Sequence, residues 1–196
     1  MQTETKRIPT EEELDQKIEV ATQTLERNIG FVANCDTKTS IVLTSLGVLL
    51  TLFLTNGGLS AILRLGRCGL TGGTPWDIFY LLCLAGTGGV LLFGIWLLVT
   101  VLVGRAQTAV KDEESKDDSS LLFFGGILKV GDLPTYRGRF LAMTKEELLD
   151  ELIAEIYVNA QIATQKYRRY NRGIRLAGAG FALLMGMLLV GKGIYG

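Results

Sequence analysis

Ile78-Phe-Tyr-Leu-Leu-Cys-Leu-Ala-Gly-Thr-Gly-Gly-Val-Leu-Leu-Phe-Gly-Ile-Trp-Leu-Leu-Val-Thr-Val-Leu-Val103 carries no charged residue from end to end. As a helix this run is about 39 Å long, and the hydrocarbon core of a bilayer is about 30 Å thick. A stretch of this length and composition reads as a membrane-spanning helix. Two further apolar stretches lie outward from it. Ser40–Thr55 reads as a slightly short span with Lys38 snorkelling at its edge, and Ile174–Gly191 reads as a third span stopped by Lys192. The chain therefore reads as an all-α integral membrane protein with three transmembrane helices and long cytoplasmic helices forming a bundle.

Composition supports this. Of 196 residues, 48% are hydrophobic, and the mean hydropathy is +0.31. Lys plus Arg and Asp plus Glu number 20 each, so net charge is zero. The basic residues are unevenly placed. Arg64 and Arg67 lie between the first two spans and Lys192 follows the third, while the other 17 lie within residues 1–40 and 104–175. The positive-inside rule puts those two regions in the cytoplasm. The expected layout is a cytoplasmic N-terminal helix over 1–38, a first span over 39–55 and an extracytoplasmic loop over 56–77. A second span follows over 78–103, then a cytoplasmic helical sensor region over 104–173 and a third span over 174–191. The expected location is the cell inner membrane, multi-pass, with the N-terminus cytoplasmic. The acidic, polar first 30 residues lack the apolar core of a cleavable signal.

Two soluble helices are expected beside the spans. Thr10 with Glu13 and Thr144 with Glu147 have capping-box spacing. After the first, Leu14, Ile18, Ala21, Leu25, Ile29 and Val32 form an apolar stripe at helical steps. After the second, Leu148, Leu152, Ile156, Ala160, Ala163, Tyr167 and Tyr170 do the same. Each helix is expected to run directly into a span. Residues 56–77 read as a glycine-rich loop in which Leu59–Leu65 forms a short interfacial helix, and Gly131–Gly138, with Pro134, reads as a loop. Leu121–Leu128 is apolar but too short to span, so it is buried in protein or dips into the interface. The acidic and serine-rich run up to Ser120 reads as a solvated linker.

Enzymatic motifs do not appear. The chain has no His, which removes the usual general base and the commonest metal ligand. G-x-S-x-G, P-loop and H-E-x-x-H patterns are absent. Cys35, Cys68 and Cys83 are odd in number and widely spaced. They read as small apolar fillers, with Cys68 placed where it can pair between subunits. Small residues recur every four positions at Gly178, Ala182 and Gly186, and at Ala85 and Gly89. Such stripes allow close helix approach in lipid, either within the chain or at a subunit interface or pore lining.

Polar residues collect at the expected inner membrane boundary. Asn34, Asp36 and Lys38 precede the first span, and Asn159, Lys166 and Arg169 precede the third. A solvated belt accounts for the arginines. The alternative is a ligand site in which Lys, Arg and Asn hold a phosphate and a base, with Phe123 and Phe124 either stacking on the base or packing in a core.

At these residues the chain resembles a known family, the transmembrane effectors of Pycsar anti-phage defence. Three blocks carry the resemblance. Phe31-Val-Ala-Asn-Cys-Asp-Thr-Lys-Thr39 keeps the family's D-x-K pattern at Asp36 and Lys38, although the preceding residues differ. Ser120-Leu-Leu-Phe-Phe-Gly-Gly-Ile127 is similar to its S-L-L-F-F-G segment. Leu148–Leu152 through Tyr157–Tyr167 is similar to its long helix before the last span. The resemblance implies a non-enzymatic membrane effector of abortive-infection defence. Such an effector is activated by cyclic CMP or cyclic UMP, impairs inner-membrane integrity and works as a homo-oligomer in the lipid bilayer, with no nucleic acid polymer and no metal. The ligand-binding candidates are Asn34, Asp36, Lys38, Phe123, Phe124, Asn159, Lys166 and Arg169. The competing reading is a non-gated scaffold that recruits a partner through its coiled-coil-like helices.

Overall fold

The computed structural model describes residues 10–72, 74–103, 120–122 and 124–195. Among them three helices are long and apolar enough to cross a membrane, Glu11–Arg67, Pro75–Leu102 and Lys145–Gly193, and no strand occurs. The chain is an all-α integral membrane protein. The polar linker expected up to Ser120 lies, but for Ser120 itself, outside the described residues.

Helix α1 (Glu11–Phe53) opens on the expected capping box. Thr10 N donates to Glu13 Oε2 at 3.0 Å, and Glu13 N donates to Thr10 Oγ1 at 3.3 Å. It then continues without a break through Asp36 and Lys38 into the apolar stretch. A π-helical turn, Leu54–Gly58, follows. Gly57 sits there at φ 87°, a left-handed conformation that costs glycine little, and Asn56 Nδ2 donates to Leu52 O at 2.7 Å. Beyond the turn the chain resumes as α2 (Leu59–Gly72). The 56–77 segment is thus mostly helical, and its helix is longer than the Leu59–Leu65 expected. The glycines at 66, 69 and 72 lie within it, because segregation of leucines from arginines outweighs their low helix propensity.

Helix α3 (Pro75–Leu102) starts on a capping box between Thr74 and Asp77, with Pro75 in the first turn where its missing N–H costs nothing. Helix α4 (Phe124–Lys129) and helix α5 (Leu133–Ala142) follow. Helix α5 takes up most of the loop expected over Gly131–Gly138, leaving Gly131 and Asp132 ahead of it. Asp132 caps it by accepting from Thr135 N at 3.2 Å, and Pro134 falls in the first turn, where it is tolerated. Helix α6 (Lys145–Tyr195) begins on the Thr144–Glu147 capping box and runs unbroken past Lys192.

The chain divides into two compact units. The first comprises Met1–Ala33 and Arg105–Thr164. Within it α1 and α6 run parallel: Asp15 pairs with Lys145 at 2.6 Å, and Asn28 Nδ2 donates to Ile156 O at 3.3 Å. The inward positions of α1 are Leu14, Ile18, Ala21, Leu25, Asn28 and Val32, an alternation of four and three steps. That is a heptad repeat. Ile29, expected on the stripe, is exposed, and Asn28 faces inward in its place.

The second unit comprises Asn34–Gly104 and Gln165–Gly196. Its core joins Leu84, Leu91 and Leu98 of α3 to Ala177, Leu184 and Leu188 of α6, with Leu43, Leu46 and Leu50 of α1 packed against them. Helices α3 and α6 are antiparallel and meet at glycines. A Cβ on Gly94 would collide with the backbone of Ala177, one on Gly180 with Leu91, and one on Gly191 with Tyr80. Tyr80 donates its hydroxyl to Met187 O at 2.7 Å. The small residues singled out from the sequence are elsewhere. Gly178, Ala182, Gly186, Ala85 and Gly89 are all exposed, so they do not make the contact within the chain. Cys35 is buried and Cys83 half-buried, both as free thiols, and the Cys68 side chain lies outside the description.

Candidate functional site

In the second unit, α1 and α6 bring Asp36 and Lys166 together. Lys166 Nζ donates to Asp36 Oδ1 at 2.6 Å and to Oδ2 at 2.7 Å. The lysine side chain is largely covered, whereas the aspartate is 37% exposed. Beneath the pair lie Cys35 and Thr39, both fully buried, with Thr39 Oγ1 donating to the Cys35 carbonyl at 2.7 Å. Cys35 and Thr39 extend the α1 heptad positions beyond Val32, and Lys166 and Tyr170 occupy the matching four-and-three steps on α6. Asp36 flanks that seam, so its carboxylate meets the covered ammonium from the side. Among the described residues, this ion pair is the contact that joins predicted site residues from two different helices.

The other candidates are placed as follows. Arg169, half-buried, follows Lys166 by three residues and so shares its face of the helix. Asn34 and Lys38 are exposed on α1. Asn159 belongs to the first unit, on α6, where its Nδ2 donates to Glu155 O at 2.9 Å and lies 3.5 Å from Glu155 Oε2. Phe124 opens α4, and Phe123 lies outside the described residues. The described candidates therefore fall into two groups. Asn34, Asp36, Lys38, Lys166 and Arg169 are in one unit, and Asn159 and Phe124 are in the other.

Two glutamates that sequence reasoning passed over organise the first unit. Glu151 grips the segment 120–122: its carboxylate accepts from Leu121 N at 3.0 Å and from Ser120 Oγ at 3.2 Å. Tyr136 of α5 closes the same segment by donating its hydroxyl to Leu121 O at 3.1 Å. Gly126 then packs so tightly on the Ser120 backbone that a Cβ there would collide with it. The apolar Leu121–Leu128 stretch is thus buried in protein at Leu121 and held by a carboxylate. Glu155, one turn on, is half-buried. Desolvation, with help from the nearby Glu151 charge, pushes its carboxyl above the usual range. The available signal was spacing: Glu151, Glu155 and Asn159 recur every four residues beside the apolar stripe. Among the described residues no cluster of His, Cys, Asp or Glu could hold a metal ion.

Against known proteins, the family described as the Pycsar effector protein domain matches residues 20–191. The chain belongs to the Pycsar effector transmembrane family. The Pycsar effector protein GmPycTM of Gulbenkiania mobilis is 31% identical over an alignment of 185 residues that covers 87% of this chain and 92% of that protein. No solved structure matches. Membership makes the chain a membrane effector of anti-phage defence, with its three apolar helices as the membrane-embedded part. The Pycsar match begins within α1 and ends near the end of α6, so it contains the Asp36–Lys166 pair, the Ser120–Ile127 segment and every apolar span.

Proposed function

We propose that this Pycsar effector is switched by 3′,5′-cyclic CMP or cyclic UMP and that the switched form impairs the inner membrane. The observation that carries this reading is the Asp36–Lys166 ion pair, held by two hydrogen bonds on two helices that both run on into membrane-spanning stretches. A cyclic mononucleotide carries one phosphodiester charge. That anion competes with the Asp36 carboxylate for the Lys166 ammonium, with Arg169 one turn away and Lys38 on the neighbouring helix as further cations. A ligand shifts a conformational balance only by binding one state better. Here the ligand-bound state is the one in which Lys166 no longer holds α1 to α6, and the spans of both helices are then free to rearrange.

Asn34, an amide two residues before Asp36 on α1, is assigned to the ribose or phosphate on side-chain chemistry. The effector acts as a homo-oligomer, through the small-residue faces at Gly178, Ala182 and Gly186 that the chain leaves exposed. The N-terminus and the first unit are assigned to the cytoplasm, a reading supported by the concentration of basic residues in 1–40 and 104–175. The scaffold reading has less support, because the stripes it would offer a partner are already buried against each other at Leu14, Ala21 and Leu152.

The test is calorimetry of the detergent-solubilised full chain against the four 3′,5′-cyclic mononucleotides, paired with depolarisation of cells exposed to each. Binding and depolarisation by a pyrimidine cyclic nucleotide, both lost in Lys166→Met, are expected. A chain that depolarises membranes equally with and without any of the four removes the gating claim.

A further inference from the structure

Helix α2 follows the first crossing of the bilayer and precedes the second, so it is tethered at a membrane surface at both ends. Its residues sort sharply by face. Leu65 is buried, and it packs with half-buried Ile62 on the core built around α3. Beside that contact a second arc carries Leu59, Leu63 and Leu70, which are 52%, 55% and 79% exposed. The adjoining arc carries Ser60, Arg64 and Arg67, all exposed. Trp76, 78% exposed, follows at the start of α3. Three uncovered leucines flanked by two arginines and a tryptophan have no use in water. They fit the boundary between headgroups and acyl chains, where leucines reach hydrocarbon, guanidinium groups meet phosphates and indole sits between.

We infer that α2 is an in-plane lipid-binding helix, with Leu59, Leu63 and Leu70 in the acyl region and Arg64 and Arg67 on the phosphates of anionic phospholipids. The π-helical turn supplies the bend this requires. Gly57 at φ 87° turns the chain out of the first span, and Gly58 fits against Phe53, where a Cβ would collide with the ring and the backbone. Ser60 Oγ donates to Gly57 O at 2.7 Å and fixes the start of α2 on the far side of the bend. The effector therefore grips the leaflet reached after its first crossing with a wedge of apolar side chains, at the opposite end of the first span from the Asp36–Lys166 pair. The assignment rests on the chain's membrane-embedded fold and is independent of the cyclic-nucleotide reading.

The test uses the full chain with Cys35, Cys68 and Cys83 replaced by alanine, reconstituted in vesicles of phosphatidylcholine and phosphatidylglycerol. Single cysteines at Leu63, Leu70 and Ser60 carry an environment-sensitive fluorophore. Labels at 63 and 70 are expected to be quenched by spin labels on the acyl chains and shielded from iodide, and the label at 60 to be quenched by iodide. Labels at 63 and 70 as open to iodide as the one at 60 would overturn the proposal. A second arm compares the phosphatidylglycerol retained by the unlabelled chain with that retained by Arg64→Gln/Arg67→Gln. Each basic side chain near an anionic surface favours it by about fivefold, so the variant should lose most of the preference. Equal retention would overturn the phosphate assignment. Neither arm uses a nucleotide, so a chain that ignores cyclic nucleotides can still pass both.

Discussion

Lys166 spends its ammonium on both carboxylate oxygens of Asp36, at 2.6 and 2.7 Å, and is itself far more covered than its partner. The asymmetry predicts unequal costs. Asp36→Asn leaves a covered cation without its counter-charge, whereas Lys166→Met leaves an anion that water can reach and places an apolar chain in a largely apolar position. Because Asp36 is more than a third exposed, the coupling between the two is discounted to about 1 kcal/mol, below the range for fully buried pairs. Thermal unfolding of the two single variants and the double variant in detergent checks this, with Asp36→Asn the less stable single variant.

The same pair predicts different ligand responses under the proposed gating. Asp36→Asn frees the ammonium, so the effector should depolarise cells at lower ligand levels, while Lys166→Met, which also opens the clasp but removes the phosphate's partner, should give depolarisation that no ligand changes. Dose–response curves for depolarisation distinguish this from a purely structural pair, for which both variants would keep the parent's dependence on ligand.

Glu155 gives a pH signature. Desolvation and the neighbouring Glu151 raise its carboxyl pKa in the folded state, so between the unfolded and folded values the folded chain binds more protons. Stability contributed by this group is present at low pH and is lost as pH rises through the folded value. Glu155→Gln removes the penalty. It should unfold at a higher temperature than the parent chain at neutral pH, with the difference shrinking as pH falls below the carboxylate range. A melting-temperature series across pH 4–8 reads the slope, and a difference that stayed constant would point to packing instead.

The membrane contact is tested by glycines. Gly94→Val puts side-chain atoms into the Ala177 backbone, whereas Gly86 has nothing within 4 Å of a new Cβ. Overpacking of a close contact costs about 1–3 kcal/mol. Gly94→Val should therefore lower the detergent melting temperature markedly, and Gly86→Val should leave the single chain unaffected. A Gly86 or Gly178 variant that melts normally but changes the oligomer distribution on native gels would locate the subunit contact on the exposed small-residue faces.

Much of this architecture could be read directly from the residues. Charge-free length identified α3, and the Thr–x–x–Glu boxes located the starts of α1 and α6. The continuity of each soluble helix with a span followed from the lack of any proline at 34–40 and 165–175. What escaped had a common cause: polar residues in apolar roles, or breakers in permissive ones. Asn28 is inward where hydrophobicity favoured Ile29, because a stripe traced by apolarity alone skips a polar layer of the heptad. Pro134 sits in a helix because the first turn does not need its N–H. Glycines at 66, 69 and 72 suggested a loop although the leucines and arginines between them were already sorted by face. Of the site, only the Asp36–Lys166 pairing was within reach, since both residues flank stripes that meet. The clasp of Glu151 on Ser120 and Leu121 joins residues 30 and 31 apart in sequence with no periodic signal to connect them.

Asn28 supplies the last test, because a polar residue at an inward heptad position usually trades stability for register. Its Nδ2 reaches the Ile156 carbonyl at 3.3 Å, which is a weak bond. Loss of one neutral hydrogen bond costs about 1 kcal/mol, and burying a leucine side chain there returns about 2 kcal/mol. Asn28→Leu should therefore raise the melting temperature of the first unit. The gain should come with a loss of uniqueness, since the polar layer that disfavours sliding α1 by one heptad along α6 is then gone. Sliding would separate Asp15 from Lys145, which pair at 2.6 Å only in the present register. Cysteines at positions 15 and 145 report that register by oxidative cross-linking of the full chain. The parent background should give one efficient cross-link. In Asn28→Leu a fall in that cross-link, with a new one between positions 15 and 152, would establish Asn28 as the residue that sets the pairing. An unchanged cross-link in a more stable protein would show that the Asp15–Lys145 contact and the rest of the seam hold the register without it.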